Sequence, residues 1–570
     1  MNSANINMLW TSIAIEELYR LGCDHFCIAP GSRSSPLAVA VAEHGKTQNI
    51  ICYDERSLGF FALGYGKATH KPACVIVSSG TAVANLLPSI IEASIDNIPM
   101  IIISADRPDF LSDCGANQTI DQGKIFGHYP RWQCQITPRD NIDSLRVLST
   151  IDYAYSQSID STPGPVHINW HFDEPLAPIK KEFNLHTLKG VEKWRDSCKV
   201  FTHYPSPIKQ LEESEAASLC QMIGHAEKGL IVVGTLTQQR DKDAIKKLAT
   251  TLKWPLIADV SSTLGEFSIP SIERTIAKIN QLNDPALKPD VILQFGGRLV
   301  SKSTPSFIKN SEAKAHIFID DSDKRLDPDH SVTHRVNANI SHLVDKLLGL
   351  LTTPSSSTLL SNYKEISSHE HTTLLNVINE EKELSQRHVA QSISRIVNKD
   401  TALFIGNSMP IRALSLFTPE LKSAHIAVNR GTSGIDGNIS TACGFALGLK
   451  KPLVAFIGDL TFLHDINGLS LLSYCSQPVV IVIANNNGGG IFSFLPIAQY
   501  DKCFSPYFDS PPNAELSGAS HLFKVKHLRV STQEEFETAL SASLSTSHHT
   551  VIEAMTSTAT DLAINYRVNM

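Results

Sequence analysis

The 570-residue sequence has no excess of positive charge: 50 Lys and Arg stand against 57 Asp and Glu, for a net charge of −7. That balance argues against a general nucleic-acid binder and against a protein held on anionic membranes by bulk charge. It leaves small anionic substrates open, because a few local arginines can outweigh the average. Long apolar runs are also missing. The longest strongly apolar one, Val479 to Ala484, falls far short of the ~20 residues that cross a bilayer. Met1 to Trp10 has neither a basic nor an apolar leader region, so no signal peptide is expected. No cysteine pair has C-x-x-C spacing; the closest pair is Cys23 and Cys27, and the total of eleven is odd. The expectation is a soluble, cytoplasmic protein with mostly buried thiols.

What is present is ordinary globular composition, 42% hydrophobic and 19% charged, which excludes a disordered or fibrous chain. Short apolar runs recur, each followed by a Gly/Ser/Asn/Asp cluster and then a helical pattern. Phe26-Cys-Ile-Ala leads into Pro30-Gly-Ser-Arg33, and Ala73-Cys-Val-Ile-Val into Ser78-Ser-Gly-Thr81. The same rhythm returns at Met100, Leu230, Val291, Ala402, Leu453 and Val479. Fully apolar strands alternating with helices predict an α/β fold of parallel sheets flanked by helices on both faces. Irregular stretches around 178–212 and 352–372 are read as connections, and they leave blocks 1–185, 200–350 and 375–570. His369 and His371, in the second stretch, are read as solvated linker residues rather than metal ligands, as are His548 and His549.

The first and last blocks echo one another. Lys71-Pro72 and Lys451-Pro452 head matching strands 380 residues apart, and Ile101-Ile-Ile-Ser-Ala matches Ile481-Val-Ile-Ala-Asn at the same offset. Phe61-Ala-Leu-Gly64 resembles Phe445-Ala-Leu-Gly448 at an offset of 384. The common order of these matches predicts two copies of one fold with a different domain between them.

The sharpest chemistry lies in the last block. Gly458-Asp459 ends a predicted strand, a helix is expected over about Phe462 to Tyr474, and the next strand ends in Asn485-Asn486-Asn487-Gly488-Gly489-Gly490. A crossover of this kind puts Asp459 and Asn486 at the carboxyl ends of parallel strands, where α/β folds bind ligands. Carboxylate, amide and carbonyl oxygens suit Mg²⁺, with ligand phosphates completing its shell. An Asp and an Asn 27 residues apart in this context resemble the thiamine-diphosphate motif, with Leu460 in place of the motif's second glycine. That superfamily needs a glutamate on the first copy to hydrogen-bond the cofactor's aminopyrimidine ring. Glu55, in Tyr53-Asp-Glu-Arg-Ser57 at a strand-to-helix junction, is placed for that role.

Cations narrow the class. Arg33, Arg107, Arg412 and Arg430 all stand beside strand-end loops of the two related blocks, and Lys302 lies in the middle one. Arginine binds carboxylate bidentately, so the set fits a reaction that joins two carboxylate substrates. Together with Ser79-Gly-Thr-Ala-Val-Ala-Asn85, Gly431-Thr-Ser-Gly-Ile-Asp-Gly437 and Asn487-Gly-Gly-Gly-Ile-Phe492, these strings resemble the 2-succinyl-5-enolpyruvyl-6-hydroxy-3-cyclohexene-1-carboxylate synthases of menaquinone biosynthesis. The resemblance runs from the N-terminus to about Pro496. Ser303 departs from a second basic residue expected there in some relatives.

The resemblance implies decarboxylation of 2-oxoglutarate and 1,4-addition of the succinyl-semialdehyde carbanion to isochorismate. It implies thiamine diphosphate, Mg²⁺ or Mn²⁺, and a homodimer or a dimer of dimers, with no nucleic-acid or membrane partner. Glu55 would activate the cofactor, and Asp459, Asn486 and the Gly488 carbonyl would hold the metal. Ile435 would prop the cofactor in its bent form, and Ser408, Met409, Gly458, Leu460, Ile491 and Phe492 would join its site. Ser32, Arg33, Arg107, Asn117, Gln118, Lys302, Ser408, Arg412, Arg430, Ile491, Phe492 and Leu495 would contact substrate. An acetolactate-synthase-like carboligase, often carrying flavin in its middle domain, and an inactive subunit of the same fold are the rivals. A dehydrogenase is disfavoured, because Gly234-Thr235 and Gly296-Gly297 form no G-x-G-x-x-G fingerprint.

Overall fold

In the computed structural model, which describes residues 3–351 and 357–569, the apolar runs form two six-stranded sheets and one five-stranded sheet, all parallel. The first sheet holds β1 (His25–Ile28), β2 (Gln48–Ile51), β3 (Ala73–Val77), β4 (Met100–Asp106), β5 (Trp132–Ile136) and β6 (Pro165–His171). The second holds β7 (Gly229–Val233), β8 (Leu256–Ala258), β9 (Val291–Phe295), β10 (Ala315–Asp320) and β11 (His334–Asn337). The third holds β12 (Ala402–Ile405), β13 (Ile426–Val428), β14 (Leu453–Gly458), β15 (Val479–Asn485), β16 (Lys526–Val530) and β17 (Thr550–Met555). All seven residues of β4 and of β15 are buried, as strands covered by helices on both faces must be.

The first sheet runs β2-β1-β3-β4-β6-β5 and the third β13-β12-β14-β15-β17-β16, which is one permutation twice. The repeat expected from the sequence is therefore present, but its register differs from the echoes in two places. The ladder pairs Ala73 with Met100 and Leu453 with Val479, so β15 is one residue out from the matched strings. The helices Glu55–Thr69 and Asn438–Leu449 give the second correction. They cross so closely that a Cβ on Gly64 would lie 2.0 Å from Thr441 O, and one on Gly444 1.9 Å from Phe61 O. Gly64 and Gly444 lie 380 residues apart, as do Phe61 and Thr441. Each helix thus presses its glycine into the same place on the other, about a local two-fold axis. The Phe-Ala-Leu-Gly echo at 384 is about one helical turn off this register.

The chain divides into two compact units. The first comprises Met1–Ser206, Asn429–Lys450 and His464–Gln477, and the second Pro207–Val428, Lys451–Leu463 and Pro478–Met570. In the first unit, the stretch read as an irregular connection is partly docked: Val191–Asp196 is helical, and Val191 and Trp194 are buried in the core of the first sheet. Two buried carboxyls hold it. Trp194 Nε1 donates to Glu17 Oε2 at 2.6 Å, Phe201 N to Glu17 Oε1 at 2.5 Å, and Thr202 N to Asp152 Oδ2 at 2.7 Å.

Burial, and then the Glu17 carboxyl beside it, push the Asp152 pKa up to about 8. A raised carboxyl pKa means that Asp152, on the helix Leu145–Ile159, holds a proton while the segment is docked and releases it when the segment leaves. This stabilisation is present at low pH and is lost as pH rises through about 8. Tryptic cleavage at Lys193, Arg195 or Lys199 is therefore expected to speed several-fold, relative to an unstructured reporter peptide, between pH 7 and 9. Asp152→Asn, which keeps a donor for Glu17, is expected to flatten that dependence. A pH-independent relative rate in the unsubstituted protein would refute the carboxyl clamp.

In the second unit, the middle sheet runs β11-β10-β9-β7-β8, the doubly wound order whose switch point lies between β7 and β9. A nucleotide would enter there, but the two strand-end loops touch. Gly297 N donates to Thr235 O at 2.8 Å, and a Cβ on Gly234 would lie 2.1 Å from Gly297 O.

Several local readings change. Thr352–Ser356 lies outside the described residues, but the rest of that supposed linker begins a 22-residue helix, Leu359–Glu380. His369 is exposed on it, as expected. His371 is instead held between Ser271 Oγ at 2.9 Å and Glu420 at 2.7 Å. His549 is half-buried, and its Nδ1 accepts from Val479 N at 3.2 Å. The helix expected over Phe462 to Tyr474 is broken into Asp459–His464 and a 3₁₀ stretch Ile466–Tyr474. The break falls at Asp465, whose buried carboxylate accepts from Ser440 N and Ser440 Oγ. Among the described residues, no helix is long and apolar enough to cross a membrane.

Candidate active site

In the second unit, Asp459 opens a helix directly after β14 and is buried. Its Oδ1 accepts from Leu460 N at 2.7 Å and its Oδ2 from Gly488 N at 2.8 Å. Burial pushes its pKa up to about 6 against the pull of these backbone N–H groups. Leu460 occupies an ordinary helical position, so the motif's missing glycine needs no special backbone here. Asn486 donates its amide to Gly488 O and Thr558 Oγ1, both at 3.2 Å. Its carbonyl oxygen accepts nothing among the described residues. Gly488 adopts φ 145°, and a Cβ there would lie 2.2 Å from Asp509 O, so only glycine fits.

One carboxylate, one amide oxygen and one carbonyl make a hard-oxygen set. Among the described residues, no three His, Cys, Asp or Glu side chains group as a metal site. A divalent cation at Asp459 would therefore draw its remaining ligands from a bound anion or water, which is how Mg²⁺ meets a diphosphate.

In the same unit, Ser408 precedes the helix Met409–Ser415 with φ 71° and ψ −129°, a strained conformation for a non-glycine residue. Arg412 folds back so that its Nη1 donates to Ser408 O, and Met409 is buried beneath. Lys302 is exposed at the start of the helix Ser303–Ser311. Asp259 Oδ2 accepts from Val300 N at 2.6 Å and holds that loop. Ile491 and Phe492 are half-buried on a 3₁₀ turn, and Leu495 is exposed, so it is not a core residue. The tail that the sequence left unassigned contributes here. Phe508 packs edge-on against Phe492 at 5.4 Å, and Asp509 O accepts from Gly489 N at 2.6 Å. The run Phe504-Ser-Pro-Tyr-Phe508 was the available signal.

In the first unit, Glu55 is the first residue of its helix, half-buried, and Oε2 accepts from Asn85 Nδ2 at 3.4 Å. Its neighbours are anchored to one segment. Asp54 Oδ2 accepts from Asn467 Nδ2 at 2.7 Å, Arg56 Nη2 donates to His464 O at 2.8 Å, and Ser57 Oγ donates to Asp465 at 3.3 Å.

Arg33 and Arg107 come together. Arg107 is 9% exposed and donates to Ser79 Oγ. Burial lowers its pKa, and the Arg33 charge lowers it further, only partly offset by Asp106. The Asp106 oxygens are taken by Arg107 N at 2.8 Å and Asn169 Nδ2 at 2.9 Å. Arg33 donates to Phe172 O at 3.1 Å, has the rim carboxylate of Glu174 at 3.5 Å, and keeps a buried Nε with no partner among the described residues. Gln118, at φ 57°, is tied to the same serine: Gln118 Nε2 donates to Ser79 O at 2.9 Å, and Ser79 Oγ to Gln118 O at 3.0 Å.

Gln122, missed in the sequence, underlies this cluster. It accepts from Gly80 N and donates to Ala105 O and Asn169 Oδ1. Asn117 and Ser32 are exposed and outside that hydrogen-bonded cluster. Arg430 and Ile435 are half-buried in the loop before Asn438.

The chain matches three family models in order: "Thiamine pyrophosphate enzyme, N-terminal TPP binding domain" over residues 10–125, "Middle domain of thiamine pyrophosphate" over 186–405, and "Thiamine pyrophosphate enzyme, C-terminal TPP binding domain" over 413–554. It is 37% identical to the 2-succinyl-5-enolpyruvyl-6-hydroxy-3-cyclohexene-1-carboxylate synthase of Salinibacter ruber, covering 100% of this chain and 97% of that one. It is 40% identical to the synthase of the same name from Pelodictyon phaeoclathratiforme, over 94% of this chain and 91% of that one. The chain belongs to this synthase family.

It is accordingly a thiamine-diphosphate-dependent enzyme, and the resemblance read from the sequence holds. A solved structure of a putative thiamin diphosphate-dependent enzyme from Mycobacterium smegmatis has the same fold. Its TM-score is 0.72 at 18% identity, over 96% of this chain and 99% of that one. The first match covers β1 to β4 of the first sheet, and the last covers β13 to β16 and most of β17 of the third.

Proposed function

We propose that this enzyme decarboxylates 2-oxoglutarate and adds the remaining four-carbon unit to isochorismate in a 1,4-addition. The product is 2-succinyl-5-enolpyruvyl-6-hydroxy-3-cyclohexene-1-carboxylate, with release of CO₂. The observation that carries this reading is the Arg33–Arg107 pair. The Arg33 charge acts on the nearly buried Arg107 guanidinium, and Arg33 Nε has no partner among the described residues. A substrate carboxylate relieves both the repulsion and the unmet donor, and guanidinium takes it bidentately.

When bound, thiamine diphosphate supplies the nucleophilic carbon and the electron sink for loss of CO₂. The chain's own residues do the rest. Glu55 would hydrogen-bond the aminopyrimidine ring through its carboxyl, which Asn85 and the anchored neighbours hold in place. Asp459, Asn486 and the Gly488 carbonyl hold Mg²⁺ or Mn²⁺. Ile435 would prop the cofactor, and Ser408, Met409, Gly458, Leu460, Ile491 and Phe492 would join its site. Ser32, Asn117, Gln118, Lys302, Arg412, Arg430 and Leu495 join the arginine pair at the substrates. The domains are a pyrimidine-binding 1–185, a central 200–350 and a diphosphate-binding 375–570. The enzyme acts as a homodimer, or a dimer of dimers, in which Glu55 of one subunit and Asp459 of another serve one cofactor.

Incubation with 2-oxoglutarate, isochorismate, cofactor and Mg²⁺ is expected to give the succinylated product by mass spectrometry. Consumption of pyruvate in place of 2-oxoglutarate would overturn the reading. Asp459→Ala is expected to abolish Mg²⁺-dependent cofactor binding, because the only carboxylate of the oxygen set is lost. Calorimetry showing unchanged cofactor affinity in that variant would remove Asp459 from the metal site.

A further inference from the structure

Glu92 has no place in the roles assigned above. It lies on the helix Leu87–Asp96 and is 1% exposed. Burial raises its carboxyl pKa and the Asp96 charge adds to this, while Lys67 and the bonds from Thr432 pull it down. A carboxylate at such depth is costly unless its oxygens are met. They are met by one two-residue stretch: Oε1 accepts from Gly431 N at 2.8 Å, and Oε2 accepts from Thr432 N at 2.7 Å and Thr432 Oγ1 at 2.8 Å. The fit is close, since a Cβ on Gly431 would lie 2.9 Å from both Glu92 O and Glu92 Oε2.

The residue next to this clasp is Arg430. Nine residues, Asn429 to Gly437, connect β13 to the following helix, against three, Cys52 to Asp54, between β2 and the Glu55 helix in the first copy. A longer loop samples more conformations unless it is fastened. Consecutive Cα atoms are a fixed ~3.8 Å apart, so fastening Gly431 confines the Arg430 Cα to a shell of that radius about it.

We infer that Glu92 is a positioning residue: by clasping the Gly431 and Thr432 amides, it fixes the place from which Arg430 meets a substrate carboxylate. The inference rests on the proposed role of Arg430. It adds a buried acid, 338 positions earlier in the chain, that sets where that cation stands. In Glu92→Gln, one oxygen becomes an NH₂ group facing a backbone N–H, so one amide of the clasp is unmet while volume is kept.

The test is a double-mutant cycle on the holoenzyme with 2-oxoglutarate and isochorismate. Glu92→Gln alone is expected to lower kcat/KM roughly tenfold or more for the substrate that Arg430→Ala also impairs, with thiamine diphosphate affinity retained. In the Arg430→Ala background, the same change is expected to cost less than about twofold. Losses that multiply in the double variant, or wild-type kcat/KM in Glu92→Gln, would overturn the inference.

Should Glu92→Gln not fold, Thr432→Val removes only the hydroxyl donor. Its cycle with Arg430→Ala is expected to show the same non-additivity at smaller size, and additive losses there would also overturn the inference. Failure of the unsubstituted enzyme to form product would overturn the proposed function, and the role of Glu92 with it.

Discussion

Glu55→Gln is expected to leave a folded protein that binds thiamine diphosphate and turns over roughly 10²- to 10⁴-fold more slowly. The substitution keeps the length and shape of the side chain. The glutamine carbonyl can accept from Asn85 Nδ2 as Glu55 Oε2 does. What disappears is a carboxyl that can hold or release a proton beside the aminopyrimidine ring. The structural cost is small, because the only other role of the acid is at the first turn of its helix, worth about 0.3–1 kcal/mol. Turnover measured beside calorimetric cofactor affinity separates the two effects. Near-wild-type turnover would remove Glu55 from the mechanism.

A larger effect on the fold itself is expected at the helix crossing. Gly444→Ala places a methyl 1.9 Å from Phe61 O, and Gly64→Ala places one 2.0 Å from Thr441 O. The obstacle in each case is main chain within a helix, which cannot swing aside as a side chain can. The helices must separate, losing the packing of two buried faces, at about 3 kcal/mol or more. Because the two glycines occupy equivalent places about the local two-fold axis, the two variants are expected to lower the melting temperature by similar amounts. A wild-type melting curve for either would show that the crossing is looser than described. The Gly64 variant also strains the helix that begins with Glu55, so its activity should fall with its stability.

Much of this arrangement was visible in the sequence, for identifiable reasons. The buried strands announce themselves because covering both faces demands unbroken apolar runs. The Asp459 and Asn486 pair is legible because strand ends at ligand sites are rich in Gly, Asn and Asp. The exact register of the repeat was not legible. Phe-Ala-Leu-Gly is what any buried helix carries, so it matched one turn away from the true partner. The helix Leu359–Glu380 was hidden by its exposed Ser, Thr and His, while Leu359, Tyr363, Leu374 and Ile378 are buried. Gln122, Glu92 and Asp509 escaped because their partners are distant in sequence or lie in backbone atoms, which no local pattern encodes. Asp465 broke a helix that periodicity favoured, since its carboxylate is committed to Ser440.

Carried back past the helix starts, the 380-residue register numbers Ile435 with Glu55, but Glu55 opens its helix while Ile435 lies three residues before its own, in the longer loop Asn429 to Gly437. One corner of the duplicated scaffold carries an acid and its counterpart a hydrocarbon. In the proposed site, these two residues address the polar edge and the bent hinge of a single ligand whose ends are unlike. The divergence at these two residues, and in the length of the loops before their helices, gives the scaffold a polarity that the shared strand order lacks. A chimera built from two first copies, however well folded, would present two acids and no prop.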